Sequence, residues 1–310
     1  MAAPALQEPA VPGFMRQCAR VPRSLYRLAR HRSYVARVRR QYPRLPRVLE
    51  RHFRGTEDRE VQEVLRFVRT CGAQMLPYAW VEEYRAADFD VATDASGLLR
   101  VNVRSAPVFF PSSFTSEEVA RAVANALAEQ DFRSPHAYWC KRFSRNDDDI
   151  AVLVGASDGI YALQLVDHVS HLYLFEADAT WFNALARTLR PWKDKVTLVE
   201  GIVGERTGGG TVSLDAFFEA EGVLPTYIQA DVEGAEAAVI AGARGILSRA
   251  GRISLSICCY HRQDDEATLR ESLGGVGLDV HTTAGYMLLW PQLLSPPYLR
   301  RGVIHAHKGQ

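Results

Sequence analysis

Lysine is scarce in this chain, cysteine is sparse and unpatterned, and long apolar runs are missing. Of 37 basic residues only four are lysine, at positions 141, 193, 195 and 308. The five cysteines (Cys18, Cys71, Cys140, Cys258 and Cys259) are odd in number and never spaced CxxC. This argues against a disulfide framework or a zinc knuckle and fits a reducing, cytoplasmic setting. No uninterrupted apolar stretch approaches the roughly 20 residues that a membrane-spanning helix needs. The Ala/Pro-rich beginning lacks the apolar core of a secretion signal.

What is present is ordinary in amount: 310 residues, 47% hydrophobic and 24% charged, enough for one large domain or a domain with an appendage. The charge is unevenly placed. Residues 1–50 hold eleven arginines and two glutamates, a net of +9, so the overall +1 leaves −8 for the remainder. Residues 1–55 therefore read as a basic arm, helical over 14–40. Such an arm can touch an anionic surface such as a membrane, or form a solvated helix packed on the body. No base-flipping or RNA-binding motif accompanies it, so nucleic acid is not the expected partner.

Residues 56–133 read as a small α+β region. REVQEVLRFVRTC (59–71) spaces Val61, Val64, Leu65, Phe67 and Val68 helically. MLPYAW, FDVATD, LLRVNV and APVFFP read as short strands or extended segments, with a turn at 94–97. A helix is expected over 115–131, capped around Ser116, and another over 134–143, with Ser134 as N-cap and Pro135 at its first position. The second would lie over a ligand pocket, offering His136 and Tyr138, with Trp139 turned to the core.

From residue 150 strand and helix alternate. IAVLV is a short apolar run suited to a strand covered on both faces. Gly155 and Gly159 bracket a turn that backbone or ligand can approach closely. After a helix comes HLYLFE, with Glu176 at its carboxyl end. Such a unit places a nucleoside over the strand ends, with the acid reaching ribose hydroxyls. Further strands are expected at 196–199, 227–230 and 253–260, helices at 181–189, 214–221, 237–249 and 264–273, and a final hairpin at 278–282 and 286–290. The implied fold over 134–310 is an α/β, doubly wound, Rossmann-like sheet, mostly parallel with an antiparallel last strand.

VGASDGIYAL, LYLFEAD, VSLDAFF, YIQADVEGAE and ISLSICCYHRQDD, in this order, resemble the FkbM-type family of S-adenosylmethionine-dependent methyltransferases. MLPYAW, LAEQDFRSPHAYW and PPYLRRGVIHA resemble the flanks of one subgroup. The resemblance implies a methyltransferase sheet, S-adenosylmethionine as cofactor and O-methylation of a hydroxyl on a glycan or secondary metabolite. It points to Gly155, Ala156, Ser157, Asp158, Gly159, Glu176, Ala177, Ile202 and Asp231 as cofactor-binding positions. Asp231 and His261, at the ends of the fourth and fifth strands, are the catalytic candidates, His261 as general base. His136, Tyr138 and Glu233 are candidates for the acceptor side. No metal-ligand set is identified, although Asp231 can ligate a divalent ion given a partner. Two positions depart from the family pattern: Leu153 stands in place of its first aspartate and Gln229 in place of a lysine. Asp158 or the 147–149 run can compensate for Leu153. Without such compensation, Leu153 weakens cofactor binding or leaves a methyltransferase-like scaffold without catalysis. A nicotinamide-dependent dehydrogenase fits less well, because Gly155 and Gly159 are not arranged as GxGxxG.

Overall fold

The computed structural model describes residues 44–140, 147–289 and 296–309. The expected arm helix at 14–40, the part of the 134–143 helix beyond Cys140, and Trp290 lie outside the described residues. No described helix is long and apolar enough to cross a membrane.

Helices α1 (Leu45–His52) and α2 (Arg59–Cys71) come first, the second started by Asp58, whose side chain accepts from the Glu60 and Val61 N–H groups. MLPYAW forms no strand; a 3-10 turn occupies Ala79–Glu83. Strands β1 (Val91–Thr93), β2 (Leu99–Val103) and β3 (Ala106–Phe110) make an antiparallel sheet. Helix α3 (Ser116–Glu129) covers it, Val119 and Val123 packing against Val101, Val108 and Phe110. Its N-cap is Thr115 rather than Ser116. Thr115 Oγ1 accepts from the Glu118 N–H while the Glu118 carboxylate accepts from the Thr115 N–H, a reciprocal capping box.

The central unit continues with β4 (Ile150–Val154), α4 (Ile160–Leu165), β5 (His171–Glu176), α5 (Ala179–Thr188) and β6 (Val196–Glu200). Then come the short pair β7 (Ile202–Val203) and β8 (Thr211–Val212), α6 (Leu214–Glu221), β9 (Tyr227–Ala230), α7 (Glu236–Ala241), α8 (Arg244–Arg249), β10 (Ile253–Cys258) and α9 (Asp265–Gly274). The chain ends with β11 (Asp279–Thr282), β12 (Met287–Leu288), β13 (Leu299–Arg300) and β14 (Val303–Lys308).

Seven strands form one sheet in the order β11-β14-β10-β9-β4-β5-β6. The pairs from β10 to β6 are parallel, and β14 runs antiparallel to both neighbours. This is the expected Rossmann-like, doubly wound arrangement, mostly parallel with the last strand reversed. Alternation along the strands feeds two cores. Ala151, Leu153, Leu172 and Leu174 pack toward α1, α2, α4 and α5. Val152, Val154, Phe175, Ile228 and Ile257 pack toward α6, α7, α8 and α9.

Three further sequence expectations are corrected. Residues 134–140 do not form a helix. Ser134 Oγ does cap the His136 N–H, but the Gln130 side chain takes the Tyr138 N–H and Ser256 Oγ takes the Tyr138 carbonyl, which diverts the backbone from helical bonds. The 237–249 helix is two helices, because the Asp215 carboxylate accepts from the Gly245 and Ile246 N–H groups and starts a second one. The final hairpin is not formed as expected: β11 pairs with β14, and β12 pairs with β13. The Leu288 N–H donates to the Met75 carbonyl, which ties that excursion to the chain after α2.

Candidate active site

The carboxyl ends of β4, β5, β9 and β10 lie side by side, and each is followed by a polar turn. After β4 the turn at 155–159 closes against its neighbours. Gly155 has φ +81°, and a Cβ there would lie 2.0 Å from the Asp231 carbonyl oxygen, so only glycine lets the β4 turn abut the end of β9. Gly159 has φ +75°, and a Cβ would meet Leu185 at 2.7 Å. Asp158 starts α4 by accepting from the Ile160 N–H at 2.9 Å. At the end of β5 Glu176 is buried, one oxygen accepting from the Ser157 N–H (2.9 Å) and the other from the Asp178 N–H (2.8 Å). These bonds fix the carboxylate beside the turn and leave lone pairs for a further donor.

A cleft of about 190 Å³ opens here, lined by Leu153, Gly155, Ala156, Ser157, Asp158 and Gln229 together with Tyr138, Asp231, Glu233, Glu129 and Gln130. Parallel register sets Leu153 directly beside Gln229, so these two positions share one patch of floor. Leu153 is 1% exposed and belongs to the apolar core beneath. Asp149 cannot replace the missing acid. It sits at the opposite end of β4, about 13 Å of strand away, bound to Thr226 Oγ1 (2.8 Å) and Arg252 (2.7 Å). Asp158 does line the cleft.

Asp231 is the hub. Tyr138 Oη donates to its Oδ2 at 2.7 Å, and Tyr260 Oη donates at 3.2 Å. His136 Nε2 lies 3.5 Å from Oδ2, and His261 Nε2 lies 3.4 Å from Oδ1. Burial alone would raise the Asp231 pKa, but His136, His261 and Tyr138 hold it well below the usual carboxylate range. Burial would lower His136, yet Asp231 and Glu129 raise it. Burial pushes Glu129 up to about 7, helped by the negative Asp231 and Asp158 and opposed by His136. Burial likewise pushes Asp158 up to about 6 against its bond from Ile160.

His261 leans on a second acid. Its Nδ1 is 2.9 Å from Oε1 of Glu236, a fully buried carboxylate that also accepts from the Val232 N–H. Burial would lower His261, but Glu236, Asp231 and Glu233 raise it. Glu236 is itself pulled down, chiefly by His261, against its burial. Glu236 on Nδ1 orients the imidazole, and Asp231 and Glu233 near Nε2 favour a proton there, so His261 serves as a general base in the form with Nε2 deprotonated.

The fold thus brings together His136, Tyr138, Gly155, Ala156, Ser157, Asp158, Asp231, Glu233 and His261, with Glu176 adjoining through Ser157. Gly159 supports the turn from behind. Ala177 and Ile202 are outside the cleft wall, both exposed. Trp139 is 37% exposed and not part of the core, contrary to expectation. Glu129 and Gln130 are cleft residues that motif reading did not single out, while Glu236 and Tyr260, which it placed beside Asp231 and His261 without assigning them a role, contact these two residues. Glu129 and Gln130 fall in LAEQDFRSPHAYW, whose nearness to His136 in sequence was the available signal.

No family model matches the chain, and no curated protein does. Solved structures similar in outline include TYW2 of M. jannaschii in complex with AdoMet (12% identity, 76% of this chain and 93% of that one, TM-score 0.42). Others are the METTL16 MTase domain (12%, 82% and 96%, TM-score 0.42) and precorrin-6y C5,15-methyltransferase from Geobacter metallireducens (16%, 60% and 88%, TM-score 0.37).

Proposed function

We propose that the chain is an S-adenosylmethionine-dependent methyltransferase acting on a hydroxyl oxygen of a glycan or secondary metabolite. One observation carries this reading: the glycine turn, Glu176, Asp231 and the Glu236–His261 pair converge at the carboxyl ends of four adjacent parallel strands, where open α/β sheets bind ligands. The residues fit the cofactor in kind. Glu176 presents acceptors for ribose hydroxyls at the end of β5. Asp158, Glu129 and Asp231 give the cleft the negative character that a sulfonium and an ammonium group require, which offsets Leu153.

When bound, the cofactor supplies an activated methyl group, so the protein's work is alignment, exclusion of water and proton removal. His261 Nε2 accepts the proton of the acceptor hydroxyl. Glu236 holds the imidazole and stabilises its charge once protonated. Asp231, fixed by Tyr138 and Tyr260, orients the hydroxyl and faces the same imidazole nitrogen. Glu233, on the rim, is positioned for the acceptor.

The test is transfer of a labelled methyl group to a panel of glycans and phenolic or aliphatic alcohols, comparing wild type with His261→Gln. The reading expects transfer to a hydroxyl and a loss of about 10²–10³-fold in the variant. A second reading, a methyltransferase-like scaffold without catalysis, is favoured by Leu153. It expects no transfer to any acceptor from folded protein.

A further inference from the structure

The far edge of the sheet carries a second group of ligating side chains, and strand register alone assembles it. Asp279 and His281 are two apart in β11 and so share a face, as do His305 and His307 in β14. Antiparallel pairing sets Asp279 opposite His307 and His281 opposite His305, making a square of four on one face. The row through His281 and His305 continues inward as Ser256, Gln229 and Leu153, the last two being the floor of the candidate active site.

The inner corner, His305, is buried against Ser256. The other three converge, with exposure rising from His307 through His281 to Asp279. His281 Nε2 is 3.0 Å from Asp279 Oδ2, and His307 Nε2 is 3.8 Å from the same oxygen. The two imidazoles stack with centroids 5.8 Å apart. One ligating atom from each of the three lies within 4.8 Å of the others. A tetrahedral ion with bonds of about 2.1 Å spaces its ligand atoms about 3.4 Å apart, a value the two separations bracket. His281 and His307 also line a separate cleft of about 530 Å³, bounded by Arg133, Trp139 and Thr283.

We propose that Asp279, His281 and His307 form a divalent transition-metal site with an open coordination position toward this cleft. Two imidazoles and one carboxylate are the donor set of zinc and its neighbours, whereas magnesium and calcium need more oxygen ligands. Three protein ligands leave the fourth position for water or for a donor carried by a ligand in the cleft. The cleft's other wall is the 134–140 segment, whose reverse side carries His136 and Tyr138 to Asp231. A simple ion pair is the competing account, and with Asp279 61% exposed it is screened by water and contributes little to the edge.

The experiment uses the full chain without a polyhistidine tag, stripped with a chelator and titrated with cobalt(II) chloride and then zinc(II) chloride. The proposal expects one equivalent of cobalt with the visible absorption of a four- or five-coordinate ion, displaced by zinc. It expects affinity to fall at least tenfold in both His281→Asn and His307→Asn and to be unchanged in Asp231→Asn. Asp279→Asn, at the most exposed of the three positions, provides a variant that leaves the fold intact, and thermal unfolding in chelator verifies each protein. Absence of binding at micromolar metal overturns the proposal. So does full binding in the histidine variants, or loss of binding in Asp231→Asn, which would place the ion in the active site instead.

Discussion

Asp158→Asn separates the cost of the cleft's acids from their use. The asparagine side-chain oxygen can still accept from the Ile160 N–H, so the start of α4 is kept. In the wild type, burial holds the Asp158 carboxyl at about 6 against an ordinary 3.8. Keeping it ionised in the fold costs about 3 kcal/mol at most, and its partial exposure brings this to about 1–2 kcal/mol. The sign follows from the raised value. The wild type loses stability as pH rises from 3.8 through 6, and the penalty is complete above that. The variant should therefore unfold a few degrees higher at pH 8, with the gain shrinking through pH 6 and gone below the ordinary carboxylate value. Its affinity for S-adenosylmethionine should fall about 5- to 30-fold at pH 8, because the cation loses a carboxylate. Differential scanning fluorimetry across pH and isothermal calorimetry measure the two effects. A variant whose advantage over wild type is no larger at pH 8 than at pH 4, or one that binds the cofactor as well as wild type, refutes the assignment of Asp158 as the acid that offsets Leu153.

Further outcomes follow from the same geometry. Wild-type affinity for the cofactor should weaken as pH falls through 7 to 6, where Glu129 and Asp158 take up protons; a flat calorimetric profile there contradicts their role. Glu236→Gln should lower kcat and move the acid limb of kcat/KM to lower pH, since the carboxylate is what raises His261; an unmoved limb with reduced kcat would indicate a packing role only. Gly155→Ala should cost about 3 kcal/mol or more, or prevent soluble expression, because its Cβ would overlap the Asp231 carbonyl at positive φ. Leu153→Asp should lower the melting temperature by several degrees, as it places a carboxylate among buried side chains, and a stable variant that binds the cofactor more tightly would show that the site wants the acid.

The parts of the fold legible in the sequence are those governed by local rules. The β4–turn–α4–β5 unit could be read because its strands are continuous apolar runs and its turn needs glycine at Gly155. Elements decided by distant partners were not legible. The segment after Ser134 has a good helix start, yet its backbone groups go to Gln130 and Ser256, one of them more than a hundred residues away. The break between α7 and α8 is set by Asp215, thirty residues upstream. The last pairing was misread because the excursion through β12 and β13 docks on Met75 and separates β11 from its partner β14 along the sequence. The same logic holds at the site. That Asp231 and His261 lie together follows from their places at the ends of neighbouring strands. Glu129, Tyr260 and Glu236 matter through burial and through which imidazole or carboxylate they face, and neither is written in spacing. Glu236 has an ordinary first-turn place in α7, and only the fold reveals it as the partner of His261.

The central claim is that the ends of β4, β5 and β9 hold S-adenosylmethionine. Isothermal titration of the folded, full-length protein with S-adenosylmethionine and with S-adenosylhomocysteine tests it most directly. The account predicts one equivalent of each, bound at micromolar concentrations and weakened about tenfold by Glu176→Gln. No heat of binding from wild-type protein whose folding is verified by circular dichroism would contradict it.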